Sequence, residues 1–189
     1  MNNNKITELK YKKWNKWLCS IYNEIDQLIF YQRIFKETNR VIKKNNQLEK
    51  ENNFYALFNA GYVFLIVSII RRLVKNDKGS LKKLLLDISK NIDVLKHFNK
   101  NIQLKKVLFD IKELEKHTKI IEDFADNHVA HKKISENGII RFETIEKAIN
   151  IIKDTYDYYG NIIGANHLEI DNYKDKRWLS IFKQPWIIE

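Results

Sequence analysis

The sequence predicts an all-α protein, a bundle of four or five helices, and three observations carry that prediction. Pro 1 and Gly 5 in 189 residues leave little with which to build the many tight turns of a β-fold. Apolar residues recur at three- and four-residue intervals over long stretches. A hydrophobic fraction of 44% is enough to fill a core and argues against wholesale disorder.

The first helix is expected from about Lys5. Leu9, Trp14, Trp17/Leu18, Ile21, Ile25, Leu28/Ile29 and Gln32 trace one stripe, with Lys and Glu between, which runs on with a kink through Phe35 and Val41. Lys43 to Gln47 is the first polar break. A second helix is expected from about Glu51 to Val74. Its middle, Tyr62 to Ile70, is apolar on all sides, which predicts a central helix packed by several neighbours. Lys75 to Gly79 forms a loop, and Ser80 is a natural N-cap for a short helix bearing Leu81, Leu84, Leu85 and Ile88.

A further long helix is expected over Ile102 to Lys132, with Leu104, Val107/Leu108, Ile111, Leu114, Ile121 and Phe124 inward. Ser135 to Gly138 is a turn. Thr144 then caps a last helix carrying Ile145, Ala148, Ile151/Ile152, Tyr156 and Tyr159. With no internal repeat or linker, residues 1–189 read as one domain: a core over about 5–160 and a tail, 161–189, docked through Trp178, Phe182 and Trp186.

Lys+Arg 34 against Asp+Glu 24 gives a net charge of +10, which favours nucleic acid, an anionic membrane or an acidic protein as partner. Solvated surface lysine in a Lys-, Asn- and Ile-rich chain accounts for part of that excess. Cys 1 leaves no disulfide framework or cysteine metal cluster, and Cys19, in an apolar helical stretch, is expected to pack as a small hydrophobe. The N-terminus has no signal-peptide pattern. The longest apolar run, Ala60 to Ile70, is shorter than the ~20 residues of a spanning helix. A cytoplasmic protein without a membrane partner is the expectation. No Gly-rich phosphate loop is present, which argues against an ATPase or kinase.

The segment with most chemistry is Phe124-Ala125-Asp126-Asn127-His128-Val129-Ala130-His131-Lys132-Lys133. It resembles the Arg-Asp-Lys-x-x-Ala-His signature of the HEPN superfamily, and in particular the U-type abortive-infection proteins of phage defence. The likeness extends over most of residues 50 to 160. Phe54 to Val74 with Arg72-Leu73, then Asn76-Asp77, then Ser80-Leu81-Lys82-Lys83-Leu84-Leu85, resembles that group's long apolar helix, Arg-Leu, acidic loop and Ser-Leu-x-x-Leu-Leu order.

The resemblance implies a HEPN-like bundle, a homodimer, RNA as partner, and a metal-independent endoribonuclease site needing no cofactor. It implies His131 as the acid/base, Asp126 as the residue that orients it, and Arg72 as the family-position cation. Arg71, His128, Lys132 and Lys133 would join them in holding RNA. An imidazole suits the task because its pKa, ~6.5, permits both proton roles near neutrality. A guanidinium suits it because its planar fork holds two phosphate oxygens. The signature arginine, however, is replaced by Ala125.

Two readings of that replacement stand side by side. In one, Arg71, Arg72, Lys132 or Lys133 substitutes for the arginine. In the other, the chain is a non-catalytic module binding RNA or an acidic protein, an antitoxin or nucleotidyltransferase partner. His117, Ile121, Phe124, His128 and His131 step by four and three along one helix face, where a histidine such as His117 is more often a packed core residue. His128 and His131 lack a third ligand group for zinc, so no metal site is expected.

Overall fold

The computed structural model describes residues 3–44, 52–130 and 140–164. Six α-helices and one π-helical turn make up its regular structure, with no strand among the described residues. They are α1 (Asn3–Ile42), α2 (Asn52–Val74), α3 (Leu81–Lys90), α4 (Ile92–Lys96), α5 (Leu104–Phe124), the π turn (Ala125–Ala130) and α6 (Phe142–Ile163). The all-α expectation therefore holds.

Cross-helix contacts give the topology. Arg72 meets Glu24 and Phe35 stacks on Tyr62, so α2 runs antiparallel to α1. Lys36 meets Glu146 and the Tyr156 hydroxyl donates to the Leu18 carbonyl, so α6 also runs antiparallel to α1. The Tyr159 hydroxyl reaches Asp110 at 2.8 Å near the far end of α5. The C-terminal end of α1 thus shares one end of the bundle with the N-termini of α2 and α6. The short α3 and α4 lie toward the other end, where Asp87 is bound by Trp14, Lys10 and Lys13 of α1.

The α1 stripe is what the spacing predicts: Trp14, Leu18, Ile21, Ile25, Leu28, Phe35 and Ile42 are all buried. The helix is continuous from Asn3 to Ile42, without a break at the anticipated kink. Ser80 caps α3 as expected, its Oγ accepting from the Lys83 amide at 3.1 Å. The preceding Gly79, at φ 86°, takes the left-handed turn that a side chain would resist.

As expected, α2 is central, packing on α1, α3, α5, α6 and the π turn. Several other expectations are corrected. One apolar face of α2 stays open: Phe54, Leu57, Phe64 and Leu65 are exposed, Leu57 at 74%. As one helix, Asn53–Val74 meets the length and composition of a membrane span, with 22% of its most apolar window buried. The Ala60 to Ile70 run alone had understated that length. Leu104 and Leu108 point outward, because the inward face of α5 is Val107, Asp110, Ile111, Leu114, Thr118 and Ile121. Two of those residues are polar and satisfied within the bundle. Asp110 takes the Tyr159 hydroxyl and Lys106, and the Thr118 hydroxyl donates to the Leu114 carbonyl.

Cys19 is exposed rather than packed, one position past the buried Leu18. Arg141, not Thr144, occupies the N-cap of α6, and the helix begins at Phe142. α6 runs past residue 160, where the tail was expected to begin, and ends on Gly164, whose φ of 75° is the left-handed stop of many helices. The proposed docking residues Trp178, Phe182 and Trp186 lie outside the described residues.

Candidate functional site

The signature segment begins where α5 stops being α-helical. After Phe124 the chain winds into a π turn that takes in Ala125, Asp126, Asn127, His128, Val129 and Ala130. One wide turn inserted in or after an α-helix resets the phase of every side chain beyond it, and such turns recur at functional sites. The α-helical three-and-four stepping that would set His128 under Phe124 therefore ends at Phe124. His131, Lys132 and Lys133 lie outside the described residues.

Two contacts fix the turn on α2. The Phe64 and Phe124 rings sit 6.5 Å apart in a tilted arrangement. The Arg71 Nε donates to Asp126 Oδ1 at 2.5 Å, with the arginine side chain 27% exposed and the aspartate 48%. Arg71 follows Phe64 by seven residues, two helical turns, and so lies on the α2 face that meets α5 and the turn. Arg72 follows Leu65 by the same interval and faces α1. Its Nη2 reaches Glu24 Oε2 at 2.7 Å and its Nε lies 3.2 Å from both carboxylate oxygens.

The two arginines that sequence placed together are thus divided between two partners. Arg71 joins the signature segment. Arg72 ties α2 to α1 through a charge-assisted fork on Glu24. The resemblance had assigned the cation to Arg72. The geometry brings Arg71 to Asp126 instead, and only helical phase, counted from Phe64, could have separated the two beforehand.

Ala125, at the position of the signature arginine, has no exposed surface and belongs to the continuous hydrophobic core. Its neighbours in that core include Ile121, one turn earlier on α5. The position is thus enclosed by core packing. Of the other candidates, His117 is half-buried on α5, with Nε2 3.4 Å from Glu113 Oε2. It sits on the rim, not in the core. Among the described residues no three His, Cys, Asp or Glu side chains converge on a point where a metal ion could bind.

What the arrangement offers chemically is a guanidinium held against a carboxylate at the entrance to the histidine segment. Arg71 donates through Nε, and its two terminal nitrogens show no hydrogen bond among the described residues. No protein-family model, curated protein or solved structure matches this chain.

Proposed function

We propose that this chain is a HEPN-like protein of the abortive-infection type that engages RNA in the cytoplasm and cleaves it without a metal. The reading rests on the signature segment, and one observation supports it most: the Arg71–Asp126 pair fastens that segment to α2. In this reading His131 moves protons, from the ribose 2′-hydroxyl or to the leaving oxygen. Asp126 orients the segment, and the terminal nitrogens of Arg71 take the phosphate, in place of the Arg72 fork that Glu24 occupies. Lys132, Lys133 and His128 would add contacts to the RNA backbone.

Purified protein in EDTA, given mixed RNA, tests the proposal. Cleavage should persist in the chelator and fall ~100-fold or more in His131→Ala. A comparable fall is expected in Arg71→Ala, with Arg72→Ala changing stability more than rate. A folded wild type that never cleaves would refute the catalytic part.

A second reading is favoured by Ala125 and by the neutralised Arg71. Both suit a non-catalytic module that binds RNA or an acidic partner, such as an antitoxin or nucleotidyltransferase. Binding without cleavage would select it.

Either reading implies a homodimer, and α2 supplies a surface for one. Leu57, Phe64 and Leu65 are exposed around Gly61, where an added Cβ would meet nothing within 4 Å. Antiparallel pairing of two α2 helices across Gly61 would set Leu57 of one copy against Leu65 of the other, four residues either side. No Asp, Glu, Lys or Arg interrupts α2 between Asn52 and Ile70. Light scattering should give twice 22.8 kDa for the wild type and 22.8 kDa for Leu57→Glu. A monomeric wild type at tens of micromolar (~10⁻⁵ M, a weak interface) would count against the pairing.

A further inference from the structure

At the end of the bundle where α1 finishes and α6 begins, two helices present cations with no acidic partner among the described residues. The last turns of α1 carry Arg40, Lys43 and Lys44, all exposed. The start of α6 carries Arg141 and Lys147, also exposed. The helices are neighbours here: Lys36 meets Glu146, and the Phe35 and Phe142 rings lie 5.1 Å apart. Shallow grooves run along both, one lined by Lys36, Asn39, Arg40, Lys43 and Lys44, the other by Ile140, Arg141, Phe142, Glu143, Thr144 and Lys147.

Ordinary helix electrostatics explains only half of this. Cations at the C-terminus of α1 complement its dipole. Arg141 stands at the N-cap of α6, where an acceptor is preferred and a positive charge is disfavoured, and it makes no capping bond. The acidic residues nearest these cations in sequence are Glu37, Glu143 and Glu146. Glu146 is already engaged by Lys36. Phe142 stands among these cations with 42% of its surface exposed, braced from behind by Phe35 and Tyr62.

We infer that Arg40, Lys43, Lys44, Arg141 and Lys147 form a track for the phosphates of single-stranded RNA, with Phe142 as the ring on which a base stacks. The inference rests on the RNA-engaging reading above and locates its substrate surface at the end of the bundle shared by the α1 C-terminus and the α6 N-terminus. Unpaired cations from two helices fit a chain of phosphates better than one isolated anion. A braced, exposed aromatic among them fits a nucleic acid better than an acidic peptide, because every base offers a π-face. A single strand leaves its bases free to stack, which a duplex does not.

The test is anisotropy of a short fluorescein-labelled oligouridine against the full chain, at several salt concentrations. Lys44→Glu/Arg141→Glu should weaken binding at least tenfold and flatten the salt dependence, since each lost phosphate contact removes about 0.7 from the log–log slope. Lys5→Glu/Lys105→Glu, the same charge change at the opposite end, should weaken it much less. Phe142→Leu, which keeps the packing on Phe35, should weaken binding roughly tenfold. Equal losses in the two charge variants, an unchanged Phe142→Leu, or displacement of RNA by polyglutamate or anionic vesicles at matched charge would overturn the inference.

The cleavage assay separates its failure from that of the RNA reading. If the wild type cleaves and Lys44→Glu/Arg141→Glu binds and cleaves equally well, the track is wrong and the RNA reading stands. If the wild type neither binds nor cleaves RNA, the reading itself falls.

Discussion

Ala125→Arg is expected to destabilise the protein by roughly 3 kcal/mol or more and to raise cleavage no higher than the wild type's. The sequence alone invites the opposite forecast, since the substitution rebuilds the HEPN-like signature. Burial decides between them. Ala125 is fully enclosed in the core. An arginine there must either stay inside, its charge unpaired in apolar surroundings, or push the π turn away from α2. The first alternative carries a desolvation penalty of several kcal/mol. The second breaks the Arg71–Asp126 contact and the Phe64–Phe124 packing that hold the turn.

Thermal melts compare the two proteins directly. For a chain of this size, each kcal/mol moves the midpoint by about 2–4 °C, so a fall of roughly 10 °C is expected. An Ala125→Arg protein as stable as the wild type, and cleaving RNA in EDTA faster than it does, would show that the position is a vacated catalytic one. Ala125→Ser serves as a small polar control, with an expected loss of about 1 kcal/mol.

The helices were legible because their signal is long and redundant. On α1 the stripe from Trp14 to Phe35 repeats over six turns, so no single residue decides its face. The Ser80 cap was legible because a hydroxyl followed by Leu81 and Leu84 is a local pattern, satisfied by the amide three residues on. The inward face of α5 was not, because apolarity and burial part company there. Asp110 and Thr118 are inside with partners supplied by other turns or helices, while Phe109 and Ile120 are outside. Pairing across 49 residues, as between Asp110 and Tyr159, leaves no mark in a local pattern.

The site was legible as a segment and not as a geometry. Residue types in order, Ala125 to His131, suggested the chemistry, but the π turn changes which way each residue faces, and nothing in the composition marks it. Likewise Arg71 and Arg72 are one residue and about 100° apart on the helix, enough to send them to different neighbours. Low glycine content correctly announced long helices. It gave no warning that α2 keeps an apolar face in the open, because periodicity reports which residues are apolar and never which neighbours arrive.

Trp14→Ala is expected to cost about 3–5 kcal/mol, the range for deleting a large enclosed aromatic. Trp14 is fully buried, and its Nε1 donates to Asp87 Oδ2 at 2.8 Å, linking α1 to α3. Lys10 and Lys13 also reach Asp87, at 3.3 and 3.2 Å, from partly exposed positions. Such pairs contribute on the order of 0–1 kcal/mol, so packing and the indole bond dominate. Trp14→Phe separates these two, keeping most of the ring and losing about 1–3 kcal/mol for the carboxylate left short of a donor.

Acid gives an independent reading of the same bond. Burial pushes the Asp87 carboxyl up, but hydrogen bonds from Trp14 and Lys13 and the charges of Lys10 and Lys13 outweigh it and hold the group below its ordinary value. Because the folded pKa is the lower one, this stabilisation is complete above the unfolded value of 3.8 and is lost as pH falls through the folded value. Denaturant midpoints from pH 6 down to about pH 2 should therefore drop in the wild type by a component absent from Asp87→Asn. Asp87→Asn should be the less stable protein at pH 6, with the gap narrowing in acid. A gap that stays constant across that range would mean the carboxylate charge contributes nothing, leaving Trp14 to act through packing alone.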